Sequence, residues 1–183
     1  MEKKQNNSLF ADVKWLLLKI LLLGIIFAVV WIFLLGICRN GDESMNPAIR
    51  AGDLVIYDRL TQEYHTGDVV VIKQDGDRQI RRVAAVSGDV VDVTEEGLNV
   101  NGYQQQEADI YTETLPYKNG IEYPLTVGEG QIFVLGDNRI SAEDGRIYGT
   151  TDLKDVQGVV MTVIRRRNIS VNALGKKRWA FYK

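Results

Sequence analysis

A single cysteine, Cys38, rules out an internal disulfide and leaves no cysteine-based metal site to build. The only histidine, His65, sits in a Tyr-His-Thr-Gly stretch that reads as a loop, so zinc has no ligand set. No metal and no other cofactor is expected. Positive charge is scarce in the middle of the chain. Residues 1–19 hold Lys3, Lys4, Lys14 and Lys19, and residues 165–183 hold seven basic side chains and no acid. Taking these eleven basic residues and the acids Glu2 and Asp12 from totals of 22 and 24 leaves 11 basic and 22 acidic residues between. An acidic body of that kind repels phosphate, so nucleic acid is not an expected partner. The basic tail suits either anionic lipid or plain solvent.

What the chain does have is one long apolar run. Ile20 to Cys38 is nineteen residues without a charge, about 28 Å of helix and close to the hydrocarbon thickness of a bilayer. It is too long for the core of a cleavable signal, and no small-x-small site follows it. We therefore expect residues 1–12 as a cytoplasmic segment and 13–38 as a transmembrane anchor, with Cys38 facing lipid at its outer edge. The early lysines, set against Asp42 and Glu43 after the run, place the N-terminus in the cytoplasm and the body outside. The localisation expected is a single-pass protein of the cytoplasmic membrane, with the bilayer itself as a partner.

Residues 39–165 read as strand. Leu54–Arg59, Asp68–Lys73, Gln79–Val86, Asp89–Val93, Gln131–Leu135 and Gly158–Arg165 are short, rich in valine and isoleucine, and several end at Gly-Asp pairs. Gly-Asp recurs at residues 52, 67, 88 and 136, a turn chemistry in which aspartate bonds the local backbone. Leu98-Asn99-Val100 followed by Asn101-Gly102 predicts a tight hairpin. The predicted fold is mainly β: an antiparallel domain behind one transmembrane helix, a smaller β-rich lobe over about 94–129, and a basic tail at 166–183. Asn168-Ile169-Ser170 has glycosylation spacing, relevant only in a host that modifies secreted chains.

Four stretches carry chemistry. Ser44-Met45-Asn46-Pro47, the run Gly67 to Val71, Arg81-Arg82-Val83 with Gly88-Asp89, and Gly136-Asp137-Asn138-Arg139 with Asp144, Arg146 and Gly149 resemble, in order and spacing, the four boxes of bacterial type I signal peptidases of the Gram-positive kind. The resemblance covers roughly residues 13 to 165. It implies a membrane-bound serine endopeptidase that removes signal peptides from exported precursors at the outer membrane face, with a serine nucleophile, a neutral lysine base and no metal. It places the nucleophile at Ser44 and the general base at position 81. Asp42, Ala142, Asp137, Asn138, Arg139, Asp144 and Arg146 fall in supporting positions, the charged ones of the fourth box bracing the site through ion pairs. Met45 and Pro47 fall beside the substrate groove. Six residues of extended chain past Cys38 reach at most about 20 Å, which keeps Ser44 near the membrane face.

The pattern breaks where proton transfer would occur. Position 81 is arginine, which stays protonated and offers no lone pair. Ala142 replaces the serine that steadies the family's lysine, and Asp42 stands where active members carry serine or glycine. Gly145 and Ser87 also depart from the usual residues. Lys73 is the nearest other lysine in the strand region, and sequence does not say whether it reaches Ser44. An ion pair between Arg81 and Asp42 beside Ser44 is one expectation, unrelated partners for each the other. Two functions stay open: an active signal peptidase, and a non-catalytic relative that binds precursors, pilin-like ones included, and assists assembly of surface polymers. A self-cleaving repressor fails on the anchor and the missing DNA-binding module.

Overall fold

The computed structural model describes residues 2–107 and 110–165, for residues 2–11 in backbone only. The basic tail and the glycosylation triplet lie outside the described residues. In chain order the elements are helix α1 (Glu2–Leu34), strands β1 (Leu35–Arg39), β2 (Leu54–Asp58), β3 (Val69–Gln74), β4 (Asp77–Val86), β5 (Val90–Thr94), β6 (Gly97–Val100), β7 (Tyr103–Gln104), β8 (Leu125–Thr126) and β9 (Gln131–Leu135), the one-turn helix α2 (Gly145–Tyr148), β10 (Thr151–Asp152), a 3₁₀ turn at Leu153–Asp155, and β11 (Val156–Ile164). The fold is mainly antiparallel β behind one apolar helix, as the sequence implies.

Two sheets make up the body: a seven-stranded one ordered β1-β2-β11-β3-β4-β9-β10, and a four-stranded one ordered β7-β6-β5-β8. The smaller sheet is the expected lobe, but it begins at Val90, because β5 is its central strand rather than part of the main sheet. Asn101 and Gly102 form the predicted turn with φ of 54° and 79°, the left-handed pair a two-residue hairpin requires. One apolar cluster runs from Ala84, Ala85, Phe133 and Leu135 of the large sheet to Val91, Val93 and Leu98 of the small one. The central strands are buried on both faces: Val70, Ile72, Val83, Ile132 and Val134 form a second cluster on the reverse side.

The apolar run does not remain helical to its end. Asp12–Leu34 is the part long and apolar enough to cross a bilayer, and none of its side chains is buried in the body. Leu35–Arg39 instead pairs antiparallel with β2, from Leu35 opposite Asp58 to Arg39 opposite Leu54. The expected helical boundary at residue 38 is therefore corrected to Leu34, and Cys38 is not lipid-facing. It is buried among Met45, Ile49, Val55, Tyr57, Val71 and Ile80. The physical reason is a change of period: Gly36 and Cys38 point inward and Ile37 outward, an alternation that a uniformly apolar stretch conceals. Gly36 lies against the buried Tyr57 ring, where an added Cβ would overlap it. Gly36→Ala is expected to lower stability by about 1–3 kcal/mol, read as a drop in thermal midpoint of the detergent-solubilised chain.

Of the Gly-Asp pairs at 52, 67, 88 and 136, the first three are turns of one design. Asp53, Asp68 and Asp89 each accept a hydrogen bond from the backbone N–H three residues earlier, at Arg50, His65 and Val86. The fourth is different, and it lies in the site.

Candidate active site

Ser44 lies in the loop between β1 and β2. The loop is closed at its base by two backbone bonds, Asn40 N–H to Asp53 O at 2.9 Å and Gly52 N–H to Asn40 O at 2.8 Å. It is pinned inside by Met45 and Ile49, both in the core. Burial pushes the Asp53 carboxyl up, but bonds from the Arg50 amide and the Arg165 guanidinium outweigh it and hold the group below the usual carboxylate range. Met45 is 0% exposed and Pro47 is exposed. The expectation that Met45 lines a groove is corrected: its side chain fills the core under the loop and anchors Ser44 from below.

The fourth box meets this loop from the opposite side. Asn138 N–H donates to Ser44 O at 2.8 Å, and Asn138 Nδ2 to Glu43 O at 3.3 Å. A Cβ at Gly136 would stand 2.7 Å from Ser44 O and overlap the Ala142 methyl, so here glycine serves close approach. Asp137, instead of capping a turn, takes two bonds from Arg82, at 2.8 and 2.6 Å. Asp144 is fully buried and receives Gly136 N–H at 3.0 Å, Arg146 N–H at 3.1 Å, and Arg146 Nε and Nη2 at 2.9 and 3.0 Å. Arg139 donates to Gly136 O, to both carboxylate oxygens of Glu107 and to the Thr114 hydroxyl. These pairs fasten the box without entering it.

At the centre stand Ser44, Asp42 and Arg81. The Ser44 hydroxyl donates to Asp42 Oδ2 at 3.0 Å, and Ser44 N–H to Asp42 Oδ1 at 3.2 Å. Both Nη atoms of Arg81 lie 3.4 Å from the same Oδ2. Arg81 is 1% exposed, Ser44 4%, and the Asp42 side chain 43%. The remaining guanidinium donors go to backbone oxygens: Nε and Nη2 to Glu143 O at 3.1 and 2.8 Å, and Nη1 to Ile80 O at 2.7 Å. Of the two expectations for Arg81 and Asp42, the ion pair is the arrangement found. Ala142, fully buried, holds no side chain toward Arg81; the carbonyl of the next residue does that work. Lys73 is exposed and pairs with Arg78, three rungs of the sheet from the Val70–Arg81 rung. Burial raises the pKa of the Tyr148 phenol, with the nearby Arg81 guanidinium pulling the other way, so the phenol keeps its proton at neutral pH.

Sequence reasoning reaches Ser44, Asp42 and Arg81 but not the groups that fasten them. Glu143 and Ile80 act through carbonyls, which no residue type advertises. Glu107 and Thr114 reach Arg139 from the lobe across 32 and 25 residues with no pattern to mark them. Tyr117 donates to Ala142 O at 2.8 Å and stacks 4.6 Å from the Arg146 guanidinium.

A serine on a core-pinned loop, facing a Gly-Asp-Asn-Arg box on a β scaffold behind an apolar helix, is the arrangement the four motifs imply. The family model for signal peptidase, peptidase S26, matches residues 13–164. The chain belongs to this family. It is 33% identical over 173 residues to a signal peptidase I of Bacillus licheniformis, covering 86% of this chain and 90% of that one. It is 31% identical over 136 residues to a signal peptidase IB of Staphylococcus aureus, covering 64% and 71%. A crystal structure of a signal peptidase I from Enterococcus faecalis V583 superposes with a TM-score of 0.46 at 24% identity, over 54% of this chain and 97% of that one. Membership makes the chain a serine-protease-type hydrolase by family, with signal-peptide processing as its field and a helix that anchors it in a membrane.

Proposed function

We propose that this member of the signal peptidase family receives the signal-peptide region of an exported precursor at the outer face of the membrane and holds it without hydrolysis by the serine-lysine route. The supporting observation is the closed Ser44–Asp42–Arg81 arrangement. For Ser44 to attack a carbonyl, its proton needs an acceptor, a step that contributes about 10²–10⁴-fold when a well-placed base is present. Arg81 cannot accept, and its donors are all engaged. Asp42 can accept, but the oxygen that faces Ser44 is the one that also faces the guanidinium, so its lone pairs are shared with both Nη atoms of Arg81. A half-exposed carboxylate beside the nucleophile also opposes the oxyanion that acyl transfer must develop there. The lysines of residues 1–19 and the acids after α1 support an N-terminus in the cytoplasm. Among exported clients, subunits of surface polymers such as pilins fit a partner that is bound and passed on.

A second reading rests on the 3.0 Å bond itself: an endopeptidase in which Asp42 takes the Ser44 proton. The two readings part in one experiment. The full chain in detergent is mixed with a signal-peptide-bearing precursor, and binding is followed by fluorescence anisotropy while products are followed by mass spectrometry. We expect binding without product, and equal binding by Ser44→Ala. A product formed by the natural chain and lost in Ser44→Ala would establish the endopeptidase.

A further inference from the structure

The junction between anchor and body contains a cavity that neither the fold nor the site uses. It encloses roughly 320 Å³ and is lined by Trp31, Ile32, Leu35, Ile37, Ile56 and Arg59. Ile37 and Ile56 are cross-strand partners on the outer face of β1 and β2, and Ile37 is exposed. Five of the six lining side chains carry no charge. The sixth, Arg59, is exposed, and its guanidinium lies 5.7 Å from the centre of the Tyr57 ring. Among the described residues no carboxylate comes within 4.0 Å of it.

The height of this groove in a membrane follows from one backbone bond and the length of the spanning helix. Arg59 N–H donates to Leu34 O, the last carbonyl of α1, at 3.0 Å. The spanning stretch Asp12–Leu34 has 23 residues, or about 34 Å at 1.5 Å each, a few ångströms more than a hydrocarbon core of about 30 Å. Leu34 and Arg59 therefore lie at the headgroups, and Trp31 less than one turn below them, where indole rings concentrate. An apolar slot with one guanidinium at its headgroup-level end has the polarity of a single phospholipid.

We propose that this groove is a phospholipid site, with an acyl chain along Ile32, Leu35, Ile37 and Ile56 and the lipid phosphate on Arg59. A guanidinium matches phosphate oxygens in a two-pronged, charge-assisted contact, stronger at a partly dry boundary than in water. The apolar segment of a precursor, or a second copy of α1, would cover the same isoleucines but offers Arg59 no anion. Charge complementarity selects the lipid.

The test uses the full chain purified in a mild detergent and supplied with dioleoylphosphatidylglycerol. Native mass spectrometry counts phospholipid retained by the natural chain, by Arg59→Gln, and by Arg165→Gln as a control cation that pairs with Asp53 away from the groove. One retained lipid is expected on the natural chain and on Arg165→Gln. Arg59→Gln, with an unchanged thermal midpoint, is expected to lose occupancy by about 10- to 100-fold. Equal retention by Arg59→Gln, or no retention by the natural chain, overturns the site. Neither reading depends on a precursor, so failure here leaves the proposed function standing.

Discussion

Restoring three residues at once, Asp42→Ser, Arg81→Lys and Ala142→Ser, is expected to raise precursor cleavage by about 10²-fold or more over the natural chain, through the general-base step alone. The argument depends on what surrounds position 81. A lysine placed there alone would still face Asp42 across a gap of a few ångströms, and an ion pair keeps an ammonium protonated. Arg81→Lys by itself is therefore expected to yield little or no product, and the pair with Ala142→Ser only slightly more. Removing the carboxylate lets burial act unopposed, since position 81 is 1% exposed and an uncompensated ammonium there loses its proton more easily. The Ala142→Ser hydroxyl then supplies a polar contact on the side now held by Glu143 O. Ser44→Ala added to the triple variant must abolish the product. A triple variant that folds, binds precursor and still makes none would show that the obstacle lies outside these residues.

Asp144→Ala is expected to be the most destabilising single change in the site region, at about 3–5 kcal/mol. Its carboxylate receives four hydrogen bonds, two of them from a guanidinium that is itself 2% exposed. Without it Arg146 keeps Leu115 O, Arg139 O and the Tyr117 ring, none of which carries a negative charge. Gly136 N–H would lose its partner as well, and with it the packing of Gly136 against Ser44. For a chain of this size the change corresponds to a fall of roughly 6–20 °C in thermal midpoint, measurable by calorimetry in detergent. Asp144→Asn, which keeps one acceptor oxygen, is expected to fall between.

Much of this was legible in the sequence because it is carried by local chemistry. Val-Ile runs between Gly-Asp pairs gave strands within a residue or two, and three of those aspartates make the same bond to the same relative position. Arginine at position 81 carries its chemistry regardless of surroundings, which is why its lack of a lone pair can be read before any fold is known. The misses share a different cause. Leu35–Arg39 is apolar like the helix before it, so composition alone cannot mark where a period of 3.6 gives way to one of 2. Met45 adjoins the serine in sequence, which assigns it to a groove, whereas the loop turns it into the core. The bonds that hold Arg81 and Arg139 come from a backbone carbonyl and from a lobe loop distant in sequence, and both exist only once the chain has folded.

The direct passage of α1 into β1, with no residue between Leu34 and Leu35, has a mechanical consequence. The body is joined to its anchor by a ladder-bonded strand and cannot swing as it would on a slack tether. Ser44 therefore rides at a fixed elevation, and a bilayer that thickens by the rise of one helical residue, about 1.5 Å, must either straighten a tilted anchor or draw the whole site toward the lipid by that amount. Such a protein would register membrane thickness in the reach of its own serine.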